Sequence, residues 1–291
     1  MDISILIVSY NSKIFLRECI DSIEKNILNK IKKEIIVVDN ASGDGSAETI
    51  RNSFKDVILV ENKENLGFSK ANNIGIKKSK GNYILFLNPD TLVREKSIET
   101  LLGFLDEHTQ VGAVACKVEL PNGEIDDASH RGFPTPWNSF CYFSGLTKLF
   151  PHSKLFSGYT MGWKDLSTIH EIDACGGAVM LVRRKAGDDV KWWDEDYFFY
   201  GEDLDFCYRL KQKGWKIFYY SNVSILHYKG VSSGIKDISK DRTTANKETR
   251  NRASKARFDA MRIFYKKHYE KKYPRFVSWL VHKGIDIKEK L

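Results

Sequence analysis

The sequence predicts an α/β fold, a mostly parallel sheet flanked by helices. Two observations carry that prediction. Residues 1–117 alternate short apolar runs with amphipathic stretches, the rhythm of parallel strands joined by covering helices. The first run is also almost continuously apolar, as a strand buried on both faces is.

The elements follow in order. Ile3 to Val8 reads as the first strand, and Leu16, Ile20, Ile23 and Ile27 follow at helical spacing. Glu34 to Asp39 reads as the second strand, Ser46 to Phe54 as a short helix and Val57 to Glu61 as the third strand. Phe68 to Lys78 suits a helix, Asn82 to Leu87 a fourth strand, Ser97 to Glu107 a helix and Val111 to Lys117 a further strand. The rhythm then breaks. Pro121 to Thr168 is rich in Gly, Pro and aromatics and has no period, which is the character of a lid or binding segment. Gly177 to Val182 reads as a strand, Asp203 to Lys213 as a helix, and Trp215 to Tyr220 and Val223 to His227 as two strands. From Thr243 the chain reads as helical, with Phe258, Met261, Tyr265 and Tyr269 on one face; Pro274 ends the helix before a short apolar cluster of Phe276, Trp279 and Leu280.

Composition bounds the function. The 291 residues suffice for a sizeable core and for one or two domains. No apolar run approaches the length of a membrane span, and Asp2 in a short apolar stretch speaks against a signal peptide. Five cysteines are scattered, with no C-x-x-C. That excludes a disulfide framework, weakens any zinc cluster and favours a reducing cytoplasm. Charge is unevenly spread. Residues 240–291 hold 16 basic and 6 acidic residues, a net +10, whereas residues 1–239 sum to −2. A basic amphipathic tail of this kind suits an anionic surface, membrane or nucleic acid, or serves as a solvated helix face.

Ligands of parallel α/β sheets bind beyond the carboxyl ends of the strands. Four strand ends are polar here: Ser9-Tyr10-Asn11-Ser12, Asp39-Asn40-Ala41-Ser42-Gly43-Asp44-Gly45, Asn62 to Gly67, and Asn88-Pro89-Asp90. Each alone reads first as turn and helix-cap chemistry; four on one sheet edge favour a binding site. No glycine precedes Gly43, so a glycine-rich dinucleotide loop is excluded, and no P-loop occurs. A bound diphosphate would need another neutralising partner, and a divalent metal on Asp90, a hard oxygen ligand, is the natural candidate. A second acidic group, Asp194-Glu195-Asp196 and then Glu202-Asp203-Leu204-Asp205, opens a helix. It reads either as helix capping or as a general base for an alcohol or sugar hydroxyl. The rings of Trp192, Trp193, Tyr197, Phe198, Phe199 and Tyr200 beside it divide between core and pocket floor.

The succession Val8-Ser9-Tyr10-Asn11-Ser12, Val37-Val38-Asp39-Asn40, Asp44-Gly45-Ser46, Asn65-Leu66-Gly67-Phe68, Ala71-Asn72, Leu87-Asn88-Pro89-Asp90, then Gly176-Gly177-Ala178, Phe199 to Asp205 and His227 resembles family 2 glycosyltransferases, in particular the bacterial rhamnosyltransferase-like branch. The likeness runs from about Ile3 to Gly230. It implies the GT-A fold, a Rossmann-like sheet, over residues 1–239, with 1–117 as the nucleotide-binding half and 118–239 as the acceptor and catalytic half, followed by the helical extension 240–291.

The resemblance also implies roles. Tyr10 and Asn11 flank the nucleobase and ribose, Asp39 accepts from a pyrimidine N3–H, and Gly67 and Asn72 line the nucleotide pocket. Ser9, Asn40, Phe68, Asn88, Pro89 and Gly177 complete that site. Asp90 holds Mg²⁺ or Mn²⁺ against the donor diphosphate, with His227 as a further contact. Asp203, with Glu202 beside it, is the base. The expected reaction is inverting transfer of a sugar from a nucleotide-sugar donor, first dTDP-rhamnose and otherwise a UDP-sugar. Its acceptor is a hydroxyl of a glycan or a polyprenyl-diphosphate-linked glycan, in cell-surface polysaccharide synthesis. The tail would then meet the inner face of the membrane, or form a homodimer.

Two departures stand out: Asn88 replaces the first acid of the usual metal motif, and Lys185 to Lys191 is polar where relatives have an apolar turn. Three rival readings are weighed. A non-catalytic nucleotide- or sugar-binding module would not need Asp203 as a base. A nucleic-acid binder lacks a basic groove in the body and any recognised motif. A nucleotidyltransferase would carry a glycine- and basic-rich loop after the first strand.

Overall fold

The structure, a computed structural model, describes residues 1–28, 30–230, 243 and 245–290. Its centre is one nine-stranded sheet in the order β3-β2-β1-β4-β8-β6-β9-β5, with β7 paired to β9. The strands are β1 (Ile3–Ser9), β2 (Lys33–Asp39), β3 (Ile58–Glu61), β4 (Tyr83–Leu87), β5 (Thr91–Leu92), β6 (Val111–Glu119), β7 (His170–Ile172), β8 (Val179–Arg183) and β9 (Lys216–His227). β1, β2, β3 and β4 run parallel; β8 is antiparallel between β4 and β6, and β9 returns parallel to β6. The sheet is therefore mostly parallel, with β5, β7 and β8 reversed.

The apolar continuity of β1 has a direct consequence. Ile3, Ile5 and Ile7 enter one core layer with Leu16, Cys19, Ile20 and Ile23 of α1 (Lys13–Asn26) and Ile98, Leu101 and Leu105 of α4 (Ser97–Glu107). Leu6, on the opposite pleat, joins Ala71 and Ile76 of α3 (Phe68–Lys78) and Phe206 and Leu210 of α8 (Glu202–Gln212). Period-two alternation thus feeds two cores, one on each face. On the first face α2 (Ser46–Ser53) adds Ile50, and on the second α7 (Arg184–Asp189) adds Ala186. The polar turn that departs from its relatives has a packing role: Asp188 accepts from the Trp192 indole at 2.7 Å and Asp189 from the Trp215 indole at 3.0 Å.

Three differences from the sequence reading have physical causes. The two strands expected on either side of Asn222 are one strand, β9. Its register against β6 jumps from Cys116↔Tyr220 to Lys117↔Ser224, so residues 221–223 form an irregularity within the strand. The aperiodic stretch holds a 3₁₀ turn (Asp127–Ser129), α5 (Pro136–Phe143) and α6 (Leu146–Leu149). α5 starts where Thr135 accepts from the Asn138 amide and Pro136 takes the first turn. Pro274 precedes a second helix, α10 (Arg275–Lys290), since a proline is tolerated where a helix begins. α9 itself (Lys247–His268) is capped by Asn246, which accepts from the Thr249 amide at 2.8 Å. The expected boundary at residues 239 and 240 lies outside the described residues.

α9 packs against α8. Phe264, Tyr265 and Ala260 form an aromatic cluster with Tyr197, Tyr208 and Tyr269, and Phe258 is buried on the same helix. Beneath it, Asp205 is fully buried and accepts from Arg209 Nε at 2.6 Å and His268 Nε2 at 2.7 Å. Removing one partner of a buried charge cluster leaves the others uncompensated. Asp205→Ala is therefore expected to cost about 3–5 kcal/mol; urea unfolding that shifts by less than 1 kcal/mol, as a surface pair would, contradicts this.

Candidate active site

The strand ends open into one cleft of about 1270 Å³. Tyr10, Asn40, Gly67, Phe68, Asn88, Pro89, Asp90, Gly177, Glu202, Asp203 and His227 all line it. Ser9, Asn11, Asp39 and Asn72 stand behind the lining and brace it. Ser9 and Ser12 share a hydroxyl hydrogen bond at 2.9 Å, and Asn11 accepts from the Gly43 amide at 2.8 Å, tying the first strand end to the second. Asn72 donates to the Phe68 carbonyl at 3.0 Å. Asp39 accepts from the Ser42 amide through Oδ2 at 2.9 Å, while its buried Oδ1 has no partner. A buried acceptor left without a donor is costly.

The third strand end is pinned to the second half of the chain. The Phe68 amide donates to the Phe198 carbonyl at 2.8 Å. Gly67 sits at φ +82°, and a Cβ there would lie 2.4 Å from that same carbonyl. Asn73 bonds the Trp193 backbone in both directions, at 2.9 and 3.2 Å. The aromatic run divides as the sequence suggests: Trp192, Trp193 and Tyr197 are core, and Phe198, Phe199 and Tyr200 line the cleft.

On one wall, β5 pairs with β9 so that Thr91 faces His227 and the Tyr228 amide donates to the Asp90 carbonyl. This brings Asp90 Oδ1 to 3.3 Å from His227 Nε2; Asn88 Nδ2 is 3.4 Å from the same nitrogen. The other ring nitrogen meets Asp126 Oδ2 at 3.4 Å, and Lys229 donates to Asp126 Oδ1 at 2.5 Å. Burial alone would lower the His227 pKa, but the carboxylates of Asp90 and Asp126 prevail and raise it to about 9. The ring is a cation held between two acids. Asp126 is held ionised well below the usual carboxylate range, burial being outweighed by His227 and Lys229.

On the other wall, Gly201 at φ +78° leads into α8, whose first turn carries Glu202, Asp203 and Asp205. Asp203 Oδ2 accepts from Arg131 at 2.6 Å, with both side chains mostly buried, and Oδ1 accepts from the Leu204 amide at 2.7 Å. Arg131 comes from the aperiodic stretch and is held there by a two-way backbone bridge to Ala174, at 3.0 and 2.9 Å. Tyr159 also bears on its guanidinium. Glu202 is buried, and its Oε2 has no partner. Burial first and the neighbouring Asp203 charge second push its pKa up to about 8. Adjacent carboxyls thus meet different surroundings: Asp203 is paired with arginine, and Glu202 is buried with its pKa raised.

Residues 4–166 match the family model described as glycosyl transferase family 2. The chain belongs to glycosyl transferase family 2. Among members of that family it is 28% identical over 172 residues to rhamnosyltransferase WbbL of Escherichia coli (strain K12), covering 56% of this chain and 61% of that protein. It is 26% identical over 211 residues to the N-acetylglucosaminyl-diphospho-decaprenol L-rhamnosyltransferase of Mycobacterium tuberculosis (strain CDC 1551 / Oshkosh), covering 69% and 68%. The fold is shared with S. aureus TarS 1-349 in complex with UDP-GlcNAc: TM-score 0.55, 19% identity, 90% of this chain and 65% of that one.

Within this family 2 chain the sequence reading missed Arg131, Asp126 and Lys229, and no local signal marks them. All three sit on irregular backbone outside the quoted motifs.

The Glu202 pKa is higher folded than unfolded, so its contribution to stability is full below the unfolded value and is lost as pH rises towards about 8. Glu202→Gln removes that loss. The stability of the variant relative to wild type is expected to grow between pH 5 and about pH 8; parallel urea midpoints across that range contradict a buried, protonated Glu202.

Proposed function

We propose that this chain transfers a sugar from a nucleoside diphosphate donor to an acceptor hydroxyl, with inversion at the anomeric carbon. The observation that carries the reading is that one cleft is lined both by Asp203, paired with Arg131, and by the Asp90–His227 pair. Asp203 accepts the proton of the incoming hydroxyl, and the hydroxyl oxygen bonds to the anomeric carbon as the bond to the diphosphate breaks. One base on one face gives a single displacement, whereas retention by double displacement would need a carboxylate nucleophile at that carbon. Arg131 orients Asp203. The donors we favour are dTDP- or UDP-sugars, dTDP-rhamnose first; the buried Asp39 would have to turn from behind the lining to meet a pyrimidine N3–H.

The residues fit a divalent cation. Asp90 supplies a hard oxygen beside an imidazole nitrogen, and Asp126 on the far side of the ring would fix it, as second ligands do. The positive charge that Asp90 now draws to Nε2 stands where such an ion would. Among the described residues no group of three or more His, Cys, Asp or Glu side chains could hold a metal. A site of two protein ligands suits Mg²⁺ or Mn²⁺, which complete their shell with phosphate and water. When bound, the ion supplies Lewis-acid stabilisation of the leaving diphosphate. Lys229, next to that wall, adds positive charge for the same group.

The acceptor we favour is a glycan, free or carried on a polyprenyl diphosphate, as the name of the mycobacterial relative suggests. Five free, buried thiols favour a reducing cytoplasm. Among the described residues no helix is long and apolar enough to cross a membrane.

Asp203→Asn is expected to lower turnover by about 10²–10⁴-fold with donor affinity unchanged; near-normal turnover removes Asp203 as base. A thermal-shift panel of UDP, dTDP, GDP, CDP and NAD, each with and without Mn²⁺, tests the donor. A Mn²⁺-dependent rise for UDP or dTDP that Asp90→Ala abolishes supports both the nucleotide class and the metal site. A rise for no nucleotide counts against the transferase reading and leaves only the sugar-binding form of the module reading.

A further inference from the structure

We propose that the cleft continues past Asp203 into an apolar arm that seats the hydrocarbon chain of a phosphate-linked acceptor lipid. The inference rests on the transferase reading and assigns a substrate class to its acceptor side. A path of contacts leads there from the catalytic wall. Asp203 pairs with Arg131, Tyr159 bears on Arg131, and the Tyr159 ring meets Tyr142 of α5 at 5.1 Å. Beyond Tyr142 the arm runs between two helices, and Lys288 of α10 lies 5.8 Å over Phe143 of α5.

The arm has the wrong surface for water and for sugar. Trp137, Phe140 and Phe143 of α5 remain 46%, 56% and 45% exposed. Facing them, α10 lines the cleft with Leu280, Val281 and Ile285 and has no buried residue along its whole length. Sugars stack on rings, but they also need hydrogen-bond partners, and an aliphatic wall offers none. A hydrocarbon chain needs only apolar surface, gaining about 25 cal/mol per Å² covered. Size agrees: drug-sized ligands occupy roughly 300–1,000 Å³, and this cleft is about 1270 Å³, enough for a donor and part of a second molecule.

Charge complements the chain. Arg252, Arg257 and Lys288 line the same cleft, and none of them has an acidic partner among the described residues. Arg252 lies 3.9 Å over the Phe198 ring at the donor side. Arg257, with Arg131, bears on the Tyr142 hydroxyl where the arm begins. An anionic phosphate at Arg257 would therefore leave its chain on the apolar walls and its sugar towards Asp203. A bulk membrane lipid would use the same apolar surface without reaching the arginines inside.

The test titrates farnesyl diphosphate, with inorganic diphosphate as control, into the full chain by calorimetry. The variants are Phe140→Glu and Leu280→Glu, both at positions more than half exposed. Farnesyl diphosphate is expected to bind at least tenfold more tightly than inorganic diphosphate, and each variant is expected to remove that advantage. Equal affinity for the two ligands, or an advantage that survives both substitutions, overturns the assignment. So does an outcome in which the variants lose only flotation with phosphatidylglycerol vesicles, which would make the patch a membrane contact. The nucleotide thermal shift is read on the same variants. If it persists while farnesyl diphosphate fails, the arm is wrong and the transferase stands; if no nucleotide shifts in wild type, the transferase reading fails.

Discussion

The ion pair between Arg131 and Asp203 is the contact on which the cleft depends. The first turn of α8 concentrates Glu202, Asp203 and Asp205. A helix N-terminus stabilises one nearby anion by a few tenths of a kcal/mol to about 1 kcal/mol, which cannot hold three carboxylates together out of water. The turn resolves the conflict residue by residue. Asp205 takes Arg209 and His268, Asp203 takes Arg131, and Glu202, with no cation left, holds a proton. Of the three, only Asp203 both has a cation partner and lines the cleft. Because its cation arrives from the aperiodic stretch, the same pair ties that stretch to the N-terminus of α8.

What the sequence made legible follows the strength of the apolar pattern. α3 and α4 agree residue for residue with their expected bounds, because a single face of each is buried against a strong sheet. β5 and β7 have two and three residues, too short for any period to register. β9 looked like two strands because residues 221–223, at its irregularity, interrupt the apolar run. The site divides the same way. Residues at strand ends were found because a parallel sheet collects them at one edge. Arg131 and Asp126 were not, since they reach the cleft from irregular backbone whose course is set by tertiary contacts alone.

The binding-module alternative meets a physical objection in this geometry. Burying an ionised carboxylate and a guanidinium costs several kcal/mol before their attraction offsets it. A module that only binds a nucleotide gains nothing from such a pair. On the transferase reading proposed above the pair has a use, because it would orient the carboxylate that takes the hydroxyl proton. Asn88 points the same way. With an amide in place of an acid, the wall that carries Asp90 and Asp126 is less negative, which on the transferase reading suits a diphosphate that is itself strongly negative.

The basic C-terminal region resolves into used and unused charge. Lys267 is taken by Asp194 and Asp196, and Arg262 by Asp259, Asp286 and Glu289. Lys272 donates to the Tyr208 hydroxyl. These contacts dock α9 on α8 and tie α10 back to α9, so part of the excess positive charge is spent on structure. Of the remaining cations, Arg252, Arg257 and Lys288 line the cleft. They share it with Asp203 and with the apolar side chains of α5 and α10, an arrangement that matches a ligand with a phosphate in its middle and a hydrocarbon at one end.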